Sequence, residues 1–433
     1  MSTQSNVLNN EDLQRRLLFT LFCVFIFRFG IHIPTPGVEA DVVKQFFDKQ
    51  GGLFSIFNTF TGGALNQFSV FALGIMPYIS SSIIFQLLTS MVPFLESLKK
   101  EGESGRRKIQ MYTRWGTILL AVIQAFALSN LLLGKEVSGM PLFRSQVGVI
   151  PFQLMTIATL TTGACFVMWL GEQITDRGLG EGASVIIFAG IAAGIPSGAV
   201  GLWNQVASGQ KSALLVLILL AFMVAVLGAI IYFEIAQRRI PIHMSQKSGA
   251  APQMMGNYLP LKVNLCGVLP PIFAFALLQF PSTLSGFSQA PWVLGLQQYF
   301  APNGALFNLF FVALVTFFTF FYTELMYPPQ EMSDNLKKAG KFIPGIRAGK
   351  STAEYIQAVM SRLNVAGAIY LSVICLMPTM LMSQAALPFY FGGTSLLILV
   401  GVSLQLIEKI NAYRYEAMIK AAQRPRRTRR VSF

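Results

Sequence analysis

What the chain lacks narrows its chemistry first. Only 12% of its 433 residues are charged, against roughly 25% in an ordinary soluble domain. There are two histidines, His32 and His243, and four cysteines, Cys23, Cys165, Cys266 and Cys375, with no CxxC pair or Cys/His cluster among them. Widely spaced cysteines inside apolar segments read as small hydrophobes, not as disulfide partners or metal ligands, and no metal is expected. HExxH and GxSxG are missing, and no convincing pair of aspartates falls inside an apolar run. Gly349-Lys350-Ser351 ends like a phosphate loop, but Pro344 stands where that loop needs its first glycine. The glycines of 178–182 lack the dinucleotide spacing and join two apolar segments, so they form a turn. Enzymatic chemistry and a cofactor are therefore not expected. Arg15 and Arg16 precede the first apolar run, but no small-x-small cleavage site follows it, so that run stays as a membrane helix.

Apolar residues are abundant, at 53% of the chain. Spanning helices of about 20 mainly apolar residues are expected near 17–35, 70–92, 115–134, 151–172, 183–202, 212–233, 263–281, 305–327, 363–383 and 393–411. The fold class is an all-α polytopic membrane protein with ten transmembrane helices. Of 33 Lys and Arg, all but six gather at one side of these spans. Lys44, Lys49, Lys135, Arg144 and Lys211 fall on the other side, and Arg28 falls within the first span. The positive-inside rule then puts both termini in the cytoplasm. Residues 1–16 form a short N-terminal tail, 17–203 a first half of five spans, 204–411 a second half, and 412–433 a basic tail. Five spans per half would make the halves an inverted repeat with the working site between them, although no obvious sequence repeat is visible.

The stretch from Asn58 to Ser90 is too broken for one helix and too apolar for a loop. Gly62, Gly63, Asn66 and Gln67 fleck its first part, and Pro77 interrupts the second. Irregular backbone survives at membrane depth only inside protein or beside a water-filled cavity. A short helix or re-entrant piece is expected here, leading into a span and filling or lining a cavity. Elsewhere, Gly190-x-x-x-Gly194 and Gly194-x-x-x-Gly198 suit close internal packing. Pro270-Pro271 is expected to interrupt and kink the seventh span. Arg28 reads as a structural tie or a snorkelling side chain, while Glu172, Glu234 and Glu324 are placed near span ends where they reach water. Two long cytoplasmic connections, 234–262 and 328–362, read as functional loops, the alternative being solvated tethers. The tail RPRRTRR (424–430) is a polybasic segment suited to anionic lipid.

Several long motifs then converge. KEGESGRRKIQMYTRWGT (100–117), MWLGEQITDRGLGEG (168–182), DNLKKAGKFIPGIRAGKSTAEYI (334–356) and FYFGGTSLLI (389–398) strongly resemble the SecY family of protein-conducting channels. So do FALGIMPYISSSII (71–84) and LPLKVNLCGVLPPIF (259–273). The resemblance implies two five-helix halves hinged between the fifth and sixth spans, with a lateral gate between the second and seventh. It implies a short plug helix near 57–68, including Phe57, Asn58, Phe60, Gly62, Gly63, Leu65 and Phe68. By motif, the pore ring maps to Ile75, Ile79, Ala183, Ile187, Ile272 and Ile398, with Ala183 smaller than the usual residue. At the gate, Pro270 and Pro271 fall on the seventh span, and Gln86 and Gln124 are expected to form a polar seam. The loops become docking surfaces for the ribosome and the motor ATPase SecA, through Arg238, Arg239, Lys247, Lys337, Lys338 and Arg347. The loop tip SQKSGAAPQMMG (245–256) carries only Lys247, less basic charge than relatives usually show. SecE-like and SecG-like subunits, signal-bearing precursor polypeptides and membrane lipid complete the implied partners. The implied location is a bacterial plasma (inner) membrane. The alternative, an inverted-repeat secondary transporter, would need a coupling-ion or substrate site, for which no residue cluster stands out.

Overall fold

The computed structural model describes residues 11–50, 57–133, 136–137, 140–141, 148–244, 258–279, 295, 304–385 and 393–423. The elements are α1 (Glu11–Ile31), α2 (Ala40–Gln50), α3 (Met76–Met91), α4 (Pro93–Lys100), α5 (Glu103–Leu132), β1 (Glu136–Val137), β2 (Met140–Pro141), α6 (Val149–Arg177), α7 (Gly182–Ala207) and α8 (Ala213–Ile235). They continue as β3 (Gln237–Pro241), β4 (His243–Met244), β5 (Tyr258–Lys262), α9 (Leu269–Leu278), α10 (Ala305–Met326), α11 (Pro329–Lys338), β6 (Lys341–Phe342), α12 (Lys350–Ala385) and α13 (Gly393–Gln423). Among the described residues, seven helices are long and apolar enough to cross a membrane, and α3 with α4 makes an eighth if the pair counts as one span. α1 and α9 stand for the remaining two expected spans. The first has only residues 17–27 free of charge between Arg16 and Arg28, and the second is described for ten residues.

The helices overrun the expected spans because their polar ends stay helical. α5, with 30 residues, is about 45 Å long, half as long again as the hydrocarbon core. Val92 breaks the helix before Pro93, and α4 leaves α3 at 96°. Proline disfavours helical backbone in the residue before it. α4 then lays Leu95 and Leu98 inward while its lysines face out. α8 buries only Val226, Ile230 and Glu234. A helix apolar all round suits lipid or a neighbouring subunit.

The prolines of the second and seventh spans do not interrupt their helices. Pro77 and Pro270-Pro271 lie in the first turns of α3 and α9, where backbone N–H groups have no intrahelical acceptor and proline loses nothing. The expected kink at Pro270-Pro271 is thus replaced by a helix start.

These starts expose a repeat between the halves that the bare sequence hides. Gly74-Ile75-Met76-Pro77-Tyr78-Ile79 matches Gly267-Val268-Leu269-Pro270-Pro271-Ile272 in conformation as well as in type. The glycines have φ +55° and +61°. Ile75 and Val268 follow at φ −94°, ψ 0° and φ −90°, ψ −2°. A second match opens the last helix of each half, Gly182-Ala183-Ser184-Val185-Ile186-Ile187 against Gly393-Thr394-Ser395-Leu396-Leu397-Ile398. A Cβ on Gly182 would sit 1.8 Å from the Gly171 carbonyl oxygen of α6, and one on Gly393 would sit 1.9 Å from that of Ile374 on α12. Only glycine lets each helix approach its predecessor so closely. α3 packs against its equivalent α9, and α7 against its equivalent α13. Elements that meet their own copies must lie near a two-fold axis, so these four helices surround the pseudo-symmetry axis of the fold.

The described parts of both long connections, 234–244 with 258–262 and 328–362, are folded rather than tethers. β3 pairs antiparallel with β5, and β4 pairs with β6, joining the two connections. Ile240, Leu261, Ile343, Ile356 and Met360 form a small separate core beneath them.

Candidate functional site

The interior between the halves is filled by the chain from 57 to 75. A single helical turn at 57–60 gives way to continuous turns, so among the described residues the expected plug helix is one turn long. Gly62 (φ +70°) and Gly63 (φ +94°) supply the left-handed backbone. Phe68 adopts φ +44° without being glycine and is fully buried. Such backbone persists in a bulky residue only where its surroundings impose it. Here the Leu65 carbonyl accepts from the Phe68 N–H at 2.9 Å, and the Phe68 carbonyl accepts from Thr35 N–H at 2.9 Å. Asn58 staples the loop from within. Its side-chain oxygen accepts from Asn66 N–H (3.0 Å), and its carbonyl accepts from Gly63 N–H (2.9 Å) and Thr61 Oγ1 (3.2 Å).

Phe57, Phe60, Leu65 and Phe68 share one buried cluster with Ile75, Ile79, Ile187, Ile272 and Ile398. Ala183 is half-buried at its edge. The repeat pairs Ile79 with Ile272 and Ile187 with Ile398. It pairs Ile75 with Val268, which is 1% exposed, and Ala183 with Thr394. Sequence reading missed Val268 and Thr394; the two short matches were the signal that could have found them. Phe60 packs on Phe275 of α9 with ring centroids 5.0 Å apart, which carries the filling segment across to the second half.

Gln86 and Gln124 do not form a polar seam. Gln86 Nε2 donates to Ser82 Oγ of its own helix at 3.2 Å, and no hydrogen bond joins the two glutamines among the described residues. The α3–α5 register explains it. Ser81 Oγ donates to the Thr113 carbonyl at 2.8 Å, and Phe85 stacks on Tyr112. That alignment puts Gln86 beside the N-terminal part of α5, about 20 Å of helix from Gln124.

Arg28, expected as a structural tie, donates from Nη1 to the Gly62 carbonyl at 2.9 Å. Gly190 packs internally, against Phe60 and Gly62, whereas a Cβ on Gly194 would meet nothing. Glu172 and Glu234 are not near water as expected but buried and paired. Glu172 Oε1 accepts from Arg114 Nε (2.8 Å) and Gln110 Nε2 (3.1 Å), and Glu234 Oε1 accepts from Asn264 Nδ2 (2.7 Å). Glu324 is exposed.

On the unit built by β3–β6, Arg238 and Arg239 stand exposed on β3, with the Arg239 guanidinium 5.0 Å from the Tyr258 ring centre. Lys337 and Lys338 end α11, where positive charge suits the helix C-terminus. Arg347 is exposed on a turn fixed by two buried hydroxyls. Thr352 Oγ1 donates to the Arg347 carbonyl at 2.8 Å, and Ser333 Oγ donates to the Gly349 carbonyl at 2.7 Å. Lys247, the loop tip 245–256 and the tail 424–433 lie outside the described residues.

Fold and site define a multi-pass helical membrane protein with a looped stopper between two repeated halves. The SecY family model matches residues 69–407. The protein translocase subunit SecY of Pseudomonas aeruginosa is 43% identical over 423 residues, covering 95% of this chain and 94% of that one. A solved protein-conducting channel superposes with a TM-score of 0.71 at 17% identity, and covers 95% of each chain. A SecY structure, described as having a plug domain that stabilises the closed channel and maintains a membrane seal, superposes at 0.68 and 16% identity with the same coverage. The chain belongs to the SecY family, whose members are channel subunits of the protein translocase and not enzymes. That membership displaces the secondary-transporter alternative.

Proposed function

We propose that this chain carries unfolded, signal-bearing polypeptides across a bacterial plasma membrane and releases transmembrane segments sideways into lipid between α3 and α9. The observation that carries this reading is the meeting of α3 and α9 at the pseudo-two-fold axis, with Phe60 of the filling segment seated on Phe275 of α9. Separating these two helices opens a path to lipid and withdraws Phe275 from Phe60 in one motion, so gate and plug (57–68) act together. Ile75, Ile79, Ala183, Ile187, Ile272 and Ile398, joined by Val268 and Thr394, form the constriction. Apolar side chains there resist ions by dewetting yet move aside for a chain. Residues 17–203 and 204–411 act as the two moving halves, with both termini cytoplasmic.

The chain provides the conduit, and energy comes from partners. The folded unit of β3–β6 and α11 presents Arg238, Arg239, Lys337, Lys338 and Arg347 on one side of the membrane, which suits docking of a SecA-type motor or a translating ribosome, with Lys247 on the same loop. SecE-like and SecG-like subunits complete the assembly, and the outward apolar faces of α8 suit such a neighbour or lipid.

The test is protease protection of a signal-bearing precursor in proteoliposomes holding this chain with SecE, SecG and SecA partners. Protection that needs ATP, and falls at least tenfold in Arg347→Glu, is the expected result. No protection from a folded, fully assembled complex would overturn the reading.

A further inference from the structure

Arg28 is a charged side chain inside a helix, and channel sealing by aliphatic residues alone leaves it without a task. An ionised group at membrane depth is costly and settles where polar atoms face it. The guanidinium reaches the Gly62 carbonyl, in the middle of the filling segment. The other side of the same peptide lies against α7. A Cβ on Gly62 would be 2.8 Å from Gly190 Cα, and one on Gly190 would be 3.0 Å from the Phe60 carbonyl oxygen and 3.1 Å from the Gly62 nitrogen. Backbone therefore rests on backbone at Gly190, with Arg28 closing over the carbonyl. Because Asn58 staples the loop internally, a hold on Gly62 is a hold on the unit. Both anchors, α1 and α7, belong to the first half, whereas Phe60 leans on Phe275 of the second.

We propose that Arg28 and Gly190 form a latch that keeps the plug with the first half, so that Arg28 is a positioning residue setting how firmly the resting channel is closed. The Gly190 seat fits glycine closely: a Cβ there would stand 3.0 Å from the Phe60 carbonyl oxygen and 3.1 Å from the Gly62 nitrogen, so the segment must shift by a few tenths of an ångström relative to the guanidinium. The Arg28 hydrogen bond has a charged donor and is among the stronger kinds. Its loss shifts the balance toward an unseated plug by about tenfold or more. Seating the plug more loosely lowers what a signal segment must contribute to open the channel, so the latch also sets how strictly a signal is required. The inference rests on reading 57–68 as the plug.

The experiment compares halide leak from proteoliposomes of the full complex, without precursor, for the parent, Arg28→Leu, Arg28→Lys, Gly190→Ala and a chain lacking 60–66. It is paired with transport of one precursor with and without its signal. Arg28→Leu should raise leak about tenfold and pass the signal-less precursor while signal-bearing transport continues, a gain that a merely structural role would not produce. Arg28→Lys, which keeps a cationic donor, should restore most of the seal. Gly190→Ala should act in the same direction with every charge in place, and it carries the test if Arg28→Leu fails to assemble. Leak unchanged within twofold in Arg28→Leu and Gly190→Ala, but raised by the deletion, overturns the latch and leaves the plug standing. Leak unchanged in the deletion as well overturns the plug reading and the latch with it.

Discussion

The entrances to α3 and α9 follow one pattern and carry different appendages. Each runs through a left-handed glycine, a buried aliphatic residue near φ −90° and a first-turn proline into an isoleucine at the axis. What precedes them diverges. Ahead of α3 lies the stapled loop with its strained Phe68 and its hold on Arg28. Ahead of α9 lie β5 and a polar knot, in which Asn264 binds Glu234 while Cys266 Sγ meets the Thr319 carbonyl and Thr323 Oγ1. The comparison separates frame from appendage. Frame positions are fixed by backbone-on-backbone approach and by the freedom of a first helical turn. Appendages are held by side-chain hydrogen bonds, ring contacts and, at Gly62, a seat on Gly190, so one half carries a stopper and the other a small folded surface unit.

The harshest way to break the comparison is at the frame glycines. Gly182→Val and Gly393→Val each drive a side chain into a carbonyl oxygen under 2 Å away. Each should cost at least the 1–3 kcal/mol typical of overpacking, roughly, and lower the yield of folded complex sharply in thermal unfolding. Equal losses at the two sites support the repeat; an unharmed Gly393→Val would dismantle it.

A middle-sized effect is expected in the polar knot of the second half. Asn264→Leu strands the buried Glu234 carboxylate and should lower stability by about 1.5–3 kcal/mol. Adding Glu234→Leu should recover part of that, because it removes the stranded carboxylate and leaves only the Gly267 carbonyl, which accepts from Asn264 Nδ2 at 3.0 Å, without its donor. A double variant as unstable as Asn264→Leu would mean that the knot does more than satisfy a carboxylate.

These residues also show where the sequence was legible. The stretch 58–90 announced itself because glycine, asparagine and proline have no business in a lone membrane helix, and the structure fills the interior with it. Arg28 was readable as a tie for the same reason, but its partner, 34 residues away, was not. Glu172 and Glu234 looked solvent-exposed from their places near helix ends. Their partners Arg114 and Asn264 are 58 and 30 residues distant, and nothing local signals such pairing. The repeat escaped notice because each six-residue match keeps only three identities: glycine, proline and isoleucine in one, glycine, serine and isoleucine in the other. Backbone angles and glycine clearances make those identities meaningful. Gln86 and Gln124 failed as a pair because helix register, invisible in one sequence, decides which residues of neighbouring helices stand level.

Smaller still should be the effect of loosening the turn that carries Arg347. Thr352→Val removes the hydroxyl that holds the Arg347 carbonyl, a hydrogen bond worth about 1 kcal/mol. Motor-driven transport should fall a few-fold, with half-saturation shifted to higher motor concentration. Thermal stability should fall by no more than about 1 kcal/mol, and Thr352→Ser should restore function. A loss of stability that matches the loss of transport would reduce Thr352 to a packing residue.

The smallest effect sharpens the comparison most. Were Pro270 in the middle of a helix, replacing it by alanine would restore a backbone hydrogen bond, relieve a clash and gain about 3 kcal/mol. In the first turn of α9 the new N–H has no intrahelical acceptor, and the ring no longer pre-sets the backbone. Pro270→Ala and Pro77→Ala should therefore each lower stability by less than about 1 kcal/mol, in step with each other. Thermal unfolding of the two variants side by side reads the sign directly. A stabilised Pro270→Ala beside a destabilised Pro77→Ala would restore the kinked seventh span and break the equivalence of the two entrances. Matched small losses would mean that α3 and α9 begin at the axis for the same reason, a turn of backbone that proline completes without cost.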